Sequence, residues 1–329
     1  MKPTILLVDI ASDDRENQRM FLESHGYEVL LAESEETAEQ ICQQLQPDLV
    51  LLHDYRPRLA GASLCRRLKQ DPLNKLTPVV LISSWPTPAE ILHGREAGAA
   101  DIWETPCSLR EALDRIEAFL RLKSYIDEQA KAVVMALARS VDARHSATDD
   151  HTGHLADYAA QLGQNLGMTE EELEELRLGC LLRDIGKIAI PDSILLKAAR
   201  LSAEETEIVR QHPVTGEKIC APLKSLRRIL PLIRHHHERM DGSGYPDGLR
   251  GDNIPLPARV LQIADVYDAL IKDRPYRAAL SPEEALEILR QEAAQGWLDA
   301  PLVSKFCRLC QSGAVIPVRG HSMLASYYT

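Results

Sequence analysis

The stretch LLRDIGKIAIPD, Leu181 to Asp192, decides how the second half of the chain is read. An apolar helical run delivers Asp184 and Lys187 three residues apart, hence on one face, as a metal site acting on an anion needs. The residue ahead of the aspartate is Arg183, whose guanidinium has no lone pair to give a metal. Whether the stretch builds a working ion site or part of one turns on what gathers around it.

Histidine is concentrated in the same half: His145, His151, His154, His212, His235, His236 and His237, accompanied by Asp184 and Asp265. A lone histidine on a helix is more often a packed core residue than a ligand. Several of them with interspersed aspartates, on helices that must pack together, suit iron, manganese, nickel or zinc. His236 and His237 are adjacent, and neighbouring helical side chains diverge by about 100 degrees. Both reach metal only at a helix end or across a two-metal centre. Directly after them, ERMDGSGYPDGLRGDNIPL is a Gly- and Pro-rich loop carrying Tyr245, with glycines that allow close backbone approach to a ligand.

Helical patterns run through 155–166, 170–182, 203–212, 226–237, 257–270 and 282–294, separated by Pro and Gly, and strand signals almost vanish. This half is therefore expected to be all-helical. The first half differs. From Thr4 to about Arg121 the apolar runs TILLVD, EVLLA, DLVLLH, PVVLISS and the weaker DIWET alternate with helical stretches, which makes βαβ units and a doubly wound parallel sheet the natural solution. Ligands of such sheets sit at the carboxyl ends of the strands, here near Asp9, His53, Ser83 and Thr105.

Between the halves, 108–141 reads as nearly continuous helix, with Ile126, Ala130, Val133 and Leu137 at spacings of four and three. That pattern suits a helix that crosses between domains and pairs with a symmetry mate in a homodimer; a helix packed on its own domain satisfies it equally. The expected division is 1–122, a helical linker 123–140, 141–312 and an irregular tail 313–329.

With 329 residues, 45% hydrophobic and 26% charged, the chain suits two soluble domains. A net charge of −11 argues against a non-specific nucleic-acid binder, since phosphate contacts need a basic face. No run of about 18 apolar residues is present, so no membrane insertion is expected. The start MKPTILLVDI carries no signal-peptide pattern, and a cytoplasmic location is expected. The seven cysteines are scattered, with Cys307 and Cys310 forming a single CxxC that lacks a second pair, which favours reduced, mostly buried thiols over a zinc or redox site.

The first half resembles the receiver domain of two-component response regulators, through ILLVD, GYEVLLA, PDLVLLHDYRP, LCRRLKQDP, PVVLIS and EAGAADIWETP in the family's order. The resemblance implies an acidic pair for magnesium after the first strand, where this chain has Asp9 and Ile10. It implies an acceptor aspartate where this chain has His53, and a lysine where it has Thr105. Only Ser83, in the hydroxyl position, matches. Aspartyl phosphorylation is not expected, and the domain reads as a degenerate pseudoreceiver.

The second half resembles the HD-GYP domain, a subgroup of the HD-domain phosphohydrolases that hydrolyse the bacterial second messenger cyclic di-GMP. The motifs are ATDDHTGHLADYA, LLRDIGKIAIPDSILLK, QHPVTGEKI, HHHERMDGSGYPDGL, IPLPARVLQIADVYDAL, DRPYRAALSPEEAL and GWLDAPLVSKF. The resemblance implies a two- or three-metal centre, and one or two divalent ions are expected in this chain. His151, Asp184, His212, His236, His237 and Asp265 would be metal ligands, with Asp184 bridging two ions. Lys187 would contact a phosphate, Arg274 and Arg277 would clamp phosphates, and Tyr245 would line the ligand pocket. The products would be the linear dinucleotide, GMP or both. A third metal is not expected, because Ala147 stands where some members have a glutamate.

The family's motif is His-Asp, and this chain has Arg183-Asp184. A fixed cation about 4 Å from a divalent ion is repulsive by several kcal/mol at intermediate dielectric, so the first metal position is expected to be weak or empty. Three readings follow: an HD-GYP protein that binds metal and cyclic di-GMP with impaired hydrolysis; an active metal-dependent phosphodiesterase for cyclic di-GMP or a related cyclic dinucleotide; and a silent sensor or scaffold that signals to a protein partner.

Overall fold

A computed structural model describes residues 2–9, 15–54, 60–84, 86–144, 151–197, 199–272 and 278–313, without the side chains of 54, 60 and 151–153. The chain forms two compact units, which divide within one long helix between Ala130 and Lys131. Ile10, His145, Ala147, Arg274, Arg277 and the tail beyond 313 lie outside the described residues, as does the side chain of His151.

The first unit alternates β1 (Thr4–Asp9), α1 (Arg15–Ser24), β2 (Glu28–Ala32), α2 (Glu35–Leu45), β3 (Leu49–Asp54), α3 (Ala60–Gln70), β4 (Val79–Ser83), α4 (Pro88–Glu96), β5 (Asp101–Glu104) and the start of α5 (Leu109–Ala143). All strands pair in parallel in the order β2-β1-β3-β4-β5. Their continuous apolar runs follow from burial on both faces. Leu6, Val8, Val50, Leu52 and Leu81 pack with Ala38 and Cys42 of α2 and Leu64 and Leu68 of α3. The alternate residues Ile5, Leu7, Leu49, Leu51 and Ile82 pack with Leu22 of α1 and Ile116 of α5, the period of two expected of strands.

The chain order reverses between β1 and β3, so the crevice of this unit lies at their carboxyl ends, where Asp9 stands opposite His53 in register. Both are buried. Ser83 closes β4, and Thr105 follows β5 with its hydroxyl 2.9 Å from that of Ser84.

Among the described residues of the second unit every regular element is a helix or a 3₁₀ turn. After α5 come α6 (His151–Asn165), α7 (Glu170–Leu182), α8 (Asp192–Leu195), α9 (Ala203–Arg210), α10 (His212–Cys220), α11 (Leu230–His235), α12 (Leu256–Leu270), α13 (Pro282–Ala294) and α14 (Ala300–Gln311). Capping boxes start α7 at Thr169 with Glu172, α9 at Ser202 with Glu205 and α13 at Ser281 with Glu284. The core joins Leu155, Tyr158 and Leu162 of α6 to Cys180 of α7, Leu261 and Ala264 of α12, Leu289 of α13 and Phe306 of α14.

Three boundaries depart from the sequence pattern. The run 203–212 breaks at Gln211, and α10 starts anew at His212, because Pro213 has no N–H to continue α9. The run 226–237 divides at Pro231 into a 3₁₀ turn, Lys224–Ile229, and α11. The helix before Asp184 stops at Leu182, so Asp184 leads a 3₁₀ turn, Ile185–Ala189, rather than riding on the helix. Among the described residues no helix is long and apolar enough to cross a membrane, and the cysteines are free thiols.

Candidate metal centre

Four side chains from three places in the sequence meet in the second unit. Asp184, His212, His236 and His237 bring one ligand atom each to within 4.8 Å of one another. Asp184 arrives from the 3₁₀ turn, His212 from the first residue of α10, and His236 with His237 from just past the end of α11. The helix-end position resolves the divergence of adjacent helical residues, since neither histidine is bound to the 100-degree step.

Gly186 makes the assembly possible. A Cβ there would lie 1.9 Å from the carbonyl oxygen of His212 and 2.6 Å from the nitrogen of Gly216, so only glycine lets the turn rest on α10. The 3₁₀ geometry also eclipses residues three apart, which sets Lys187 Nζ 2.8 Å from Asp184 Oδ1.

The histidine tautomers follow from their partners. His212 Nδ1 lies 2.7 Å from the carbonyl of Val209, and His236 Nδ1 lies 2.7 Å from that of Ile233. A carbonyl only accepts, so each Nδ1 carries the proton and each Nε2 is left with a lone pair. Those two Nε2 atoms face each other at 3.3 Å, and His212 Nε2 is 3.4 Å from Asp184 Oδ1. Two neutral lone pairs at that distance repel unless a proton or a cation lies between them.

Burial argues against the proton. Desolvation lowers the pKa of His212, outweighing the pull of Asp184, and lowers that of His236 to about 3. His237 is pushed well down by burial and by its two histidine neighbours. Burial alone would raise the pKa of Asp184, yet Lys187, Arg183, His236 and His212 together hold it well below the usual carboxylate range. Three neutral imidazoles and one carboxylate, oriented by backbone carbonyls, fit a borderline divalent cation.

Arg183 is buried beside this cluster. Its Nε lies 3.2 Å from Asp265 Oδ1, its Nη2 3.5 Å from Asp184 Oδ2, and its Nη1 donates to the carbonyl of Cys180 at 2.6 Å. Burial alone would lower its pKa, but Asp265, Asp184 and Asp142 outweigh that and hold it above its ordinary value. Asp265, expected among the ligands of a first ion, is thus turned to a guanidinium and is not part of the four-residue cluster.

Tyr245 flanks the cluster. Its ring stacks on His237 with centroids 4.7 Å apart and 24° between planes, and the Arg210 guanidinium lies 5.5 Å over its centroid. The loop that carries Tyr245 hangs on Glu238, which is fully buried and accepts the backbone N–H of Asp247 at 2.7 Å and of Leu249 at 3.0 Å. Gly244 has no room for a Cβ, which would sit 2.3 Å from the nitrogen of Arg239. Arg210 and Glu238 were not singled out by the sequence pattern. The signal for Glu238 was a carboxylate directly after three histidines, and that for Arg210 a cation two residues before His212.

Residues 132–302 match the HD domain family, and residues 5–117 match the response regulator receiver domain. The cyclic di-GMP phosphodiesterase response regulator RpfG of Xanthomonas campestris is 34% identical over 272 residues, 75% of this chain and 72% of its own. A probable cyclic di-GMP phosphodiesterase of Vibrio cholerae is 33% identical over 325 residues, 88% of this chain and 74% of its own. A 3'3'-cGAMP-specific phosphodiesterase of Vibrio cholerae is 35% identical over 184 residues, 56% of this chain and 43% of its own. With its Gly244-Tyr245-Pro246 loop behind a histidine cluster, the chain belongs to the HD-domain family, in the HD-GYP branch, and carries a response regulator receiver domain ahead of the HD domain.

Proposed function

We propose that the protein binds a cyclic dinucleotide, cyclic di-GMP first, at a centre that holds one divalent ion, and that hydrolysis there is impaired. Asp184, His212, His236 and His237 would hold the ion, which when bound polarises a phosphate oxygen. Lys187 keeps Asp184 ionised and adds positive charge beside it. Tyr245 walls the pocket against His237.

The observation that carries this reading is the placement of Arg183 between Asp184 and Asp265. In that position the guanidinium neutralises the two carboxylates that a first ion would need. A single ion cannot easily serve both the attacking and the leaving oxygen of a phosphodiester, so the rate should fall steeply. The relatives named for cyclic di-GMP support that nucleotide, and the one named for 3'3'-cGAMP makes it the second to try.

The receiver belongs to the same reading. His53 and Thr105 stand where phosphoryl chemistry would use a carboxylate and a lysine, so we expect it to act by packing and contact.

The test is to incubate metal-loaded protein with cyclic di-GMP and follow product by chromatography while measuring binding by calorimetry. Saturable binding with little or no turnover supports the proposal. Steady turnover to linear product or GMP replaces it with the active phosphodiesterase.

A further inference from the structure

The pocket must attract an anion although the protein carries a net charge of −11, so its local cations decide what it can hold. Two of those beside the cluster are already engaged. Arg183 is spread over Asp265, Asp184 and the Cys180 carbonyl, and Lys187 is paired with Asp184. Arg210 is different. It closes α9 on the protein surface, two residues before His212, and its guanidinium forms no ion pair or hydrogen bond among the described residues.

One contact nevertheless places it. The guanidinium lies over the Tyr245 ring, which stacks on His237, so Arg210, Tyr245 and His237 form one column that ends in the ligand cluster. A cation held by a ring face keeps its N–H edge unspent, and the planar fork matches two oxygens of a phosphate.

We propose that Arg210 is a ligand-contacting residue of this site, donating to a non-bridging phosphate oxygen of the nucleotide, with Tyr245 holding the guanidinium in register. This rests on the reading of the site as a nucleotide pocket and adds a specific recognition residue to it. No covalent step is involved: the contact is a charge-assisted hydrogen bond pair, made on binding.

The experiment uses the full chain loaded with metal and two probes, cyclic di-GMP and GMP, titrated by calorimetry at several salt concentrations. Arg210→Gln should weaken both by about tenfold to a hundredfold and flatten the salt dependence, with metal per chain unchanged. Arg210→Lys should fall between, keeping the charge but losing the fork. Tyr245→Leu should cost part of the same affinity, and Arg210→Gln added to it should cost less than it does alone.

Equal affinity of Arg210→Gln and the parent overturns the proposal. So does loss of metal in step with affinity, which would mark Arg210 as structural. If the parent binds GMP but no cyclic dinucleotide, the substrate reading fails while Arg210 is still judged on GMP. If it binds neither, both fall.

Discussion

Nε of Arg183 stands 3.2 Å from Oδ1 of Asp265 and its Nη2 3.5 Å from Oδ2 of Asp184, so one guanidinium supplies positive charge to both carboxylates. Arg183→His should therefore raise the metal content. We expect about one ion per chain in the parent and a second, weaker one in the variant, with a gain in hydrolysis of cyclic di-GMP. Metal analysis of both proteins, purified side by side, reads the first outcome. An unchanged ion count in the variant would remove the explanation offered for Arg183.

The same pair makes Arg183 a stabilising residue in the absence of metal. Arg183→Met keeps much of the volume but leaves Asp184 and Asp265 without their shared cation. Removing one partner of a buried pair costs about 3–5 kcal/mol. Here Asp265 is about one third exposed and Lys187 still answers Asp184, so a loss of about 2 kcal/mol is expected. Urea unfolding of the two metal-free proteins measures it, and equal midpoints would mean that the guanidinium contributes nothing net.

The general plan was legible in the sequence because it rests on periodicity. Runs such as TILLVD and VVLIS are short, rich in β-branched residues and set between helical stretches, which fits strands buried on both faces, and both receiver and HD halves declare themselves by pattern. Less legible were places where one residue overrides the pattern. Pro213 splits a helical run that hydropathy joins, and the end of α7 at Leu182 moves Asp184 onto a 3₁₀ turn. At the site, the gathering of Asp184 with His212, His236 and His237 was anticipated, but Gly186 mattered through its missing Cβ, and that depends on a partner helix 26 positions away at His212. Arg210 and Glu238 were hidden for a similar reason: each works through a loop residue that the sequence cannot place beside it.

Acid should unfold the metal-free protein earlier than its carboxylates alone require. The histidines of the cluster have pKa values lowered from 6.5, to about 3 for His236. As pH falls below about 6.5, the unfolded chain takes up protons that the folded one refuses, so stability drops from there toward about pH 3. Asp184 adds to this only at lower pH, since its depressed pKa contributes stability above 3.8 that is lost as pH falls through the folded value. The urea midpoint should decline between pH 7 and pH 5, and His236→Gln, which cannot titrate, should shrink the decline. A midpoint that holds or rises at pH 5 would contradict the buried neutral cluster.

The receiver crevice offers a separate test. His53 is buried at the end of β3, beside Asp9 on β1, and the Thr105 hydroxyl lies 2.9 Å from that of Ser84. Acetyl phosphate with magnesium should leave the intact mass unchanged. His53→Asp alone should also fail to take a phosphoryl group, because Thr105 brings no cation to neutralise it. A gain of one phosphoryl group by the parent would show that the crevice keeps a route to phosphorylation.

Glu238 should couple the stability of the loop to ligand binding. It is fully buried, and its two oxygens accept the N–H groups of Asp247 and Leu249, just past Tyr245. Glu238→Ala removes the acceptor of both N–H donors; an unsatisfied buried group costs about 1–3 kcal/mol, and because these two bonds are only part-buried a loss of about 2 kcal/mol in all is expected. Glu238→Gln keeps one acceptor and should cost about half of that. Hydrogen exchange of the Asp247 and Leu249 amides is the direct measure: both should exchange faster in Glu238→Ala, together with weaker cyclic di-GMP binding, because Tyr245 loses the anchor that sets it on His237. Amides that stay protected in Glu238→Ala would mean that the loop holds its shape without the carboxylate, with Tyr245 kept in place by its stack on His237 and by its N–H bond to the His237 carbonyl at 3.2 Å.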